Sequence, residues 1–198
     1  MGLHIFDSHY RAAVLASVGG QLKSLKLDQC HEIDLVTELA PCTQLEELEI
    51  DVSSLKPTPN LVENVAFLST LKKLNISFSR GYLPQLLSLP LPSLTELHLY
   101  VRHSDLEDGT ALDWIKLLRL YPNLRALSLI SCACKRLMLD EIRVIITQLP
   151  CIESICFPQE EYQTDEEEQL YKELVVELTQ LPSPITLEFV KRPPKIDQ

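Results

Sequence analysis

The feature that most constrains this chain is a spaced pattern of leucines, Leu-x-x-Leu-x-Leu or a close apolar variant. The copies of the pattern begin at Leu22, Leu45, Leu71, Leu94, Leu124 and Ile152. Successive copies start 23, 26, 23, 30 and 28 residues apart, which leaves room for one strand and one returning connection in each. Three apolar positions kept in register over so many copies predict an architecture built from repeats.

The predicted unit is a strand followed by a helix. Each copy is short and alternates at its last two apolar positions, as a half-buried strand does. Apolar residues then recur at helical spacing, most clearly in residues 108–122 and 139–149. This order predicts an α/β fold, a right-handed leucine-rich repeat solenoid of about six to eight repeats. Its parallel sheet would line the concave side of a horseshoe arc, and its helices would lie on the convex side.

The array predicts one domain, residues 1–190, followed by a polar tail at 191–198. A final helix is expected where Thr164 and Glu167 form a capping box and leucines from Leu170 onward line one face. After it, the alternating apolar residues of 185–189 predict a closing strand.

The beginning of the chain fits part of a further copy. Leu3 and Ile5 match its fourth and sixth positions, and its first position would precede Met1. Two interpretations remain open: residues 1–8 form an edge strand, or an upstream portion of the array is missing. Residues 10–18 are expected to form a short helix that ends at the paired glycines Gly19 and Gly20, which suit a helix C-terminus.

The formal net charge of −10 argues against nucleic acid as a partner, because Lys and Arg supply most of the affinity for phosphates. Residues 27–55 contain eight acidic residues and no Lys or Arg, so a partner with a basic surface would be attracted there. No apolar run approaches the roughly 20 residues that span a bilayer, so no membrane association is expected. We expect a monomer.

The six cysteines predict reduced thiols. Cys30 and Cys132 occupy the ninth position of their copies, where a cysteine packs as a small hydrophobic residue. The spacing lacks the CxxC pairs of common zinc sites, and no cofactor motif is present, so neither a metal nor a cofactor is expected. A reducing, intracellular location in the cytoplasm or the nucleus follows.

The candidate binding surface is the side of the sheet opposite the buried leucines. On a strand that buries its fourth and sixth positions, the third, fifth and seventh face the other way. We expect these residues to contact a protein partner, the acidic ones electrostatically and Tyr100 with Ile130 as an apolar anchor. The predicted contact residues are Glu47, Glu49, Asp51, Lys73, Asn75, Glu96, His98, Tyr100, Ser128 and Ile130.

An enzyme is the contrasting hypothesis. His98 would lie beside Ser128, and Cys156 would lie two strands from His98, about 10 Å away at a strand spacing near 4.8 Å. That distance is too long for the hydrogen bond that activates a nucleophile, and Ser128 has no visible third partner. No phosphate loop, nucleophile elbow or zinc-protease motif occurs. We therefore predict that the protein is not an enzyme.

The runs LASVGGQLKSLKLDQC at 15–30 and LRLYPNLRALSLISC at 118–132 resemble the cysteine-containing repeats of F-box leucine-rich-repeat proteins. Ribonuclease-inhibitor-like arrays are similar as well. The resemblance covers about 12–189, and only Cys30 and Cys132 fill the cysteine slot. It implies a protein-binding module, the substrate-recognition part of a ubiquitin-ligase receptor, although the chain contains no F-box. The alternative is an inhibitor-like or scaffold protein with no link to a ligase.

Overall fold

A computed structural model describes residues 1–5, 8–30, 35–52, 69–78, 91–101, 120–131, 146–147, 149–159, 165–180 and 185–191. These residues contain eight strands that form one parallel sheet in the order β1-β2-β3-β4-β5-β6-β7-β8, so each strand pairs with its neighbours along the chain. The strands are β1 Gly2–Ile5, β2 Ser24–Cys30, β3 Glu47–Val52, β4 Lys73–Phe78, β5 Glu96–Val101, β6 Ala126–Ser131, β7 Ser154–Gln159 and β8 Thr186–Lys191. The predicted α/β class and parallel sheet are confirmed.

The sheet register aligns equivalent positions of the sequence pattern. Leu48 pairs with Leu74, Leu74 with Leu97, and Leu97 with Leu127. All four of these leucines are at most 3% exposed, so they form a continuous buried row across four strands. Burial of each such side chain stabilises the fold by roughly 1.5 to 3 kcal/mol, which outweighs weak local strand propensities.

Both ends of the sheet agree with strands expected from partial copies of the pattern. β1 pairs with β2 so that Leu3 lies opposite Leu25 and Ile5 opposite Leu27. Gly2–Ile5 therefore form a strand in register with the next copy, and Ser8 already begins a helix. At the other end, β8 pairs with β7 and sets Leu187 opposite Ile155.

A recurring turn leads from each of these connections into the next strand. It begins three residues before the first apolar residue of a copy and ends at that residue. The amide of Leu94 donates to the carbonyl of Leu91 at 3.0 Å, and the amide of Leu124 donates to the carbonyl of Tyr121 at 3.1 Å. The same bond joins Leu22 to Gly19, Leu45 to Cys42 and Ile152 to Leu149. The first residue of each of these five turns is buried.

Prolines belong to these turns. Pro92, Pro122 and Pro150 each follow the buried residue, at the second turn position, where the fixed φ of proline is favourable. Pro122 and Pro150 thus lie inside the turns that lead into β6 and β7.

Two helices pack beside the first strands: α1, Ser8–Val18, which a short 3-10 helix at Gly19–Gln21 follows, and α2, Leu35–Leu39. A partly buried ion pair joins them. Arg11 is 3% exposed, and its guanidinium contacts the carboxylate of Glu38 with two nitrogens, Nη2 lying 2.9 Å from Oε1. Bidentate geometry of this kind holds the two connections in one relative position.

Gly19 allows the closest approach between these connections. A Cβ at this position would lie 2.8 Å from Cβ of Pro41 and 3.2 Å from Sγ of Cys42. Any larger residue at this position would clash with Pro41, so glycine is required here in addition to its expected role after a helix.

The last described helix is α3, Asp165–Thr179, which begins next to the predicted cap. Its Leu178 is buried and belongs to the same core as the strand leucines. None of the helices in the described ranges is long and apolar enough to cross a membrane.

Several predictions lie outside the described residues. They concern residues 108–119 of the helix expected at 108–122, most of the helix at 139–149, Thr164 as a cap, the side chains of Cys30 and Cys132, and the tail beyond 191. Residues 120–122, the expected end of the first of these helices, are not helical.

Truncation of a leucine in the buried row should destabilise the protein by opening a cavity. We expect Leu97→Ala and Leu127→Ala each to lower the free energy of unfolding by about 2 to 5 kcal/mol. Urea unfolding followed by circular dichroism measures the change. Arg125→Ala is the control, because its ion pair with Glu153 is exposed and contributes about 1 kcal/mol or less. Equal urea midpoints in all three variants would show that the register is wrong.

The Arg11–Glu38 pair makes a prediction of its own. Glu38→Leu leaves a buried guanidinium without its carboxylate and should cost about 3 kcal/mol of unfolding free energy. Arg11→Met/Glu38→Leu removes both charges and should cost less than Glu38→Leu alone. Chemical denaturation of the two variants measures their free energies of unfolding. A double variant no more stable than Glu38→Leu would contradict a buried Arg11 guanidinium that depends on Glu38.

Candidate functional site

The polar face of the sheet carries the candidate site. We define this face as the side chains at the third, fifth and seventh pattern positions, which alternate along each strand with the buried leucines. On β4, for example, Lys73, Asn75 and Ser77 are partly exposed while Leu74 and Ile76 are at most 2% exposed. Because strands in a sheet lie about 4.8 Å apart, the face forms three rows of closely spaced side chains across the sheet.

The register brings the ten predicted contact residues onto four adjacent strands. Asn75 on β4 lies opposite Glu49 on β3 and His98 on β5, and His98 lies opposite Ser128 on β6. Glu47, Lys73 and Glu96 form the row on one side, and Asp51, Ser77, Tyr100 and Ile130 the row on the other.

Ser128 and Ile130 differ from the other predicted contact residues. Ser128 is 4% exposed, so it is buried where we expected an open position. The small Ala126 lies two residues before it on the same face of the strand. For Ile130 the structure gives only the backbone pairing with Tyr100, and its side chain lies outside the description.

Charge on the polar face changes across the sheet. The strands β2 to β5 carry five carboxylates and two lysines on this face, whereas the described side chains of β6 and β7 there are small and uncharged. The face is therefore acidic toward β3 and neutral toward β7.

Lysines from neighbouring strands neutralise part of the acidic segment. Lys26 Nζ lies 2.5 Å from Glu49 Oε1 and 3.8 Å from Asp28 Oδ1. Its hydrogen bond to Glu49 raises the pKa of Lys26, which keeps the ammonium charged. Asp28 also contacts His4, with Nε2 and Oδ2 2.6 Å apart. Residues 27–55 contain no Lys or Arg, but Lys26 and His4 from neighbouring positions thus neutralise part of their negative charge.

Further pairs follow the edge of the polar face. Glu46 lies between two lysines, with Lys72 Nζ at 2.8 Å and Lys23 Nζ at 3.1 Å. Hydrogen bonds from Lys72 and then Lys23 lower the pKa of Glu46. Lys73 Nζ lies 2.9 Å from Glu96 Oε2 and lowers the pKa of that carboxyl.

Glu47 differs from these acidic residues. Its side chain is exposed, and no ion pair joins it to another residue of the described ranges. Glu47 is consequently the carboxylate of β3 that is most available to a cation from a partner.

A pair of polar atoms at the centre of the middle row lacks internal partners. Oδ1 of Asn75 and Nε2 of His98 are shielded from solvent, and neither has a hydrogen-bond partner among the described residues. The nearest acid to the imidazole is Glu96, whose Oε2 is 3.7 Å from Nε2, beyond hydrogen-bonding distance. Leaving such a group unsatisfied costs about 1 to 3 kcal/mol, so the pair is a local weakness of the fold.

Burial keeps the imidazole of His98 neutral. Removal from water lowers the pKa of His98 below its ordinary 6.5, and the charge of nearby Lys73 lowers it further, while Glu96 opposes the shift. A neutral imidazole presents one N–H donor and one acceptor nitrogen, so His98 can take part in hydrogen bonding in either sense.

The described residues show no hydrogen bond between His98 and a nucleophile of the kind that the enzyme hypothesis needs. His98 Nε2 makes no hydrogen bond to Ser128 in the described part of the chain, and Cys156 lies opposite Ser128, one strand farther from His98. The described residues also contain no group of three or more His, Cys, Asp or Glu side chains that could hold a metal ion.

Sequence reasoning missed the role of Lys26, His4 and Asp28 beside the acidic strand. A signal was present, because ion pairs join the same pattern position in consecutive copies. Lys26 and Glu49 are 23 residues apart, and Arg125 and Glu153 are 28 apart, which are the steps between their copies.

Comparison of the chain with protein families, with curated proteins and with solved structures finds no match.

Neutral His98 predicts a loss of stability in mild acid. An unfolded histidine takes up a proton as the pH falls below about 6.5, whereas folded His98 resists protonation, so acid favours the unfolded state. We expect the free energy of unfolding to fall between pH 7 and pH 5, and to fall less in His98→Gln. Urea titrations across this range provide the measurement. Glu96, whose ordinary pKa is 4.5, begins to titrate toward pH 5 in both proteins, so the difference between the two proteins reports on His98. Identical pH dependence in the two proteins would contradict a depressed His98 pKa.

Proposed function

We propose that this protein is an intracellular protein-binding module whose polar face holds a partner with a basic surface. The observation that supports the proposal is the in-register face of β2 to β5, where five carboxylates meet two lysines and Glu47 is exposed without an ion pair among the described residues. An excess of negative charge on one face attracts a positive partner and speeds its association.

We further propose that the sheet belongs to a right-handed leucine-rich repeat solenoid, with the polar face on its concave side. Support comes from eight parallel strands in chain order, because a crossover between parallel neighbours is right-handed in about 98% of known cases. A concave sheet would surround a partner and bring several strands into contact with it.

Tyr100 suits the apolar part of such an interface. It is partly exposed on β5, opposite Ser77 on one side and Ile130 on the other, at the point where the charged strands give way to neutral ones. Tyrosine buries a large apolar area and keeps a hydroxyl for hydrogen bonding, so it is frequent among residues that dominate binding energy.

In the cell, we propose a role as the substrate-recognition part of an F-box-type ubiquitin-ligase receptor. This rests on the resemblance of the cysteine-containing copies and on no contact in the structure. An inhibitor-like or scaffold role uses the same polar face and differs only in whether a ligase is recruited.

The test compares two variants with matched chemistry. Glu47→Lys/Glu49→Lys/Tyr100→Ala alters the polar face. Glu173→Lys/Glu177→Lys/Tyr10→Ala makes the same substitutions at exposed positions of the helices α3 and α1. Both variants change the net charge equally, so a difference between them reports on location.

We expect affinity capture from lysate, read by mass spectrometry, to give a protein that wild type and the helix variant retain and the polar-face variant loses. Its affinity for the polar-face variant should be at least about tenfold weaker, and its association rate should depend less on salt. A partner held equally by all three proteins contradicts binding at the polar face.

A further inference from the structure

Oδ1 of Asn75 and Nε2 of His98, which have no hydrogen-bond partner in the described part of the chain, indicate what the partner presents. The two residues lie directly opposite each other on β4 and β5, in the middle row of the polar face. Oδ1 of Asn75 can only accept a hydrogen bond, whereas the neutral imidazole of His98 can donate one from Nε2 when its proton is there. Acceptor and donor thus stand side by side on adjacent strands.

The charges around the pair select a neutral group. Glu49 lies opposite Asn75 on β3, and Glu96 lies 3.7 Å from the imidazole, so an anion would be repelled. When the proton of His98 is on Nε2, a cation could bond to Asn75 but would have nothing to accept a hydrogen bond from His98. The charge of Lys73, two residues from Asn75 on β4, would also repel it. A group that both donates and accepts without net charge satisfies both atoms.

We propose that Asn75 and His98 bind the carboxamide of an asparagine or glutamine side chain of the protein partner. The carboxamide N–H donates to Oδ1 of Asn75, and its carbonyl oxygen accepts from Nε2–H of His98. Two hydrogen bonds of about 2.9 Å, made from the two ends of one amide, span the distance of about 4.8 Å between neighbouring strands. This inference rests on the proposed function, because it names what one part of the polar face recognises.

The shielding of the two atoms favours a projecting side chain over a peptide backbone. Both residues are only partly exposed, so a ligand must reach between their neighbours. Rotation about χ2 is soft for both asparagine and histidine, which lets the amide and the ring turn toward an incoming group. A terminal carboxamide on a flexible stem can follow that movement, whereas a backbone flanked by its own side chains cannot.

The position of Glu47 and Glu49 on β3 predicts the spacing between a basic residue and the carboxamide residue in the partner. The distance from β3 to the midpoint between β4 and β5 is about one and a half strand spacings, roughly 7 Å. An extended peptide that crosses the strands covers about 6.7 Å in two residues. The partner segment therefore has a Lys or Arg two residues from an Asn or Gln, with both side chains toward the sheet.

The test selects random linear peptides, displayed on phage, against the full chain. Wild type should enrich peptides with a basic residue and a carboxamide residue at this spacing. Asn75→Leu/His98→Leu should keep the basic preference and lose the carboxamide preference. Asn75→Gln/His98→Gln, which keeps hydrogen-bonding groups at both positions, should retain part of the carboxamide preference.

A selected peptide then enters a double-mutant cycle. Replacement of its Asn or Gln by Leu should weaken binding to wild type about tenfold and binding to Asn75→Leu/His98→Leu less than about twofold. If the Leu variant does not fold, the ¹⁵N shift of His98 Nε2 in wild type gives the same information. It should move with the selected peptide and not with its Leu version.

Two results overturn the inference, and they are distinguishable. In the first, replacing the peptide's Asn or Gln weakens binding to wild type and to Asn75→Leu/His98→Leu equally, while Glu47→Lys/Glu49→Lys/Tyr100→Ala abolishes the preference for basic peptides. This result rejects the carboxamide site and leaves the proposed function standing. Enrichment no greater on wild type than on that polar-face variant rejects both.

Discussion

The structure depends on one constraint, the register between successive parallel strands. When Leu74 lies opposite Leu48 and Leu97, every fourth and sixth pattern position faces the core and every third, fifth and seventh position faces away. A slip of one residue would turn the charged positions of that strand into the core and expose its leucines. The buried leucines thus determine the position of each charged side chain on the opposite face.

The same register explains the electrostatics. Lys26 meets Glu49, and Lys73 meets Glu96, because each pair occupies one pattern position in neighbouring copies. Such exposed pairs contribute little to stability. Their effect is to set which carboxylates stay available, and Glu47 is the exposed acid on β3 with no ion pair among the described residues. The polar face is thus less acidic than the sequence of 27–55 indicates, and its remaining negative charge is more localised.

Much of the fold could be predicted from spacing alone. The Leu-x-x-Leu-x-Leu copies predict the strands, and partial copies at Leu3 and Leu187 predict those at the two ends. The turn that begins at Tyr121 was missed, because its signal is a single buried residue before a proline and carries no period within one copy. The Arg11–Glu38 pair was missed as well, since it joins two connections whose relative position depends on the packed sheet. For the site, the sequence predicts which residues share the polar face. It does not predict the burial of Ser128, or that Oδ1 of Asn75 and Nε2 of His98 find no hydrogen-bond partner among the described residues.

The most direct test of this account is the order of contacts along the buried leucine row. In a sample with labelled leucine methyl groups, nuclear Overhauser effects should link Leu48 to Leu74, Leu74 to Leu97, and Leu97 to Leu127. The account predicts these contacts in chain order, with none between Leu48 and Leu97, because a whole strand separates them. Contacts that skip a strand, or that join Leu74 to Leu99 in place of Leu97, would contradict the register and with it the composition of the polar face.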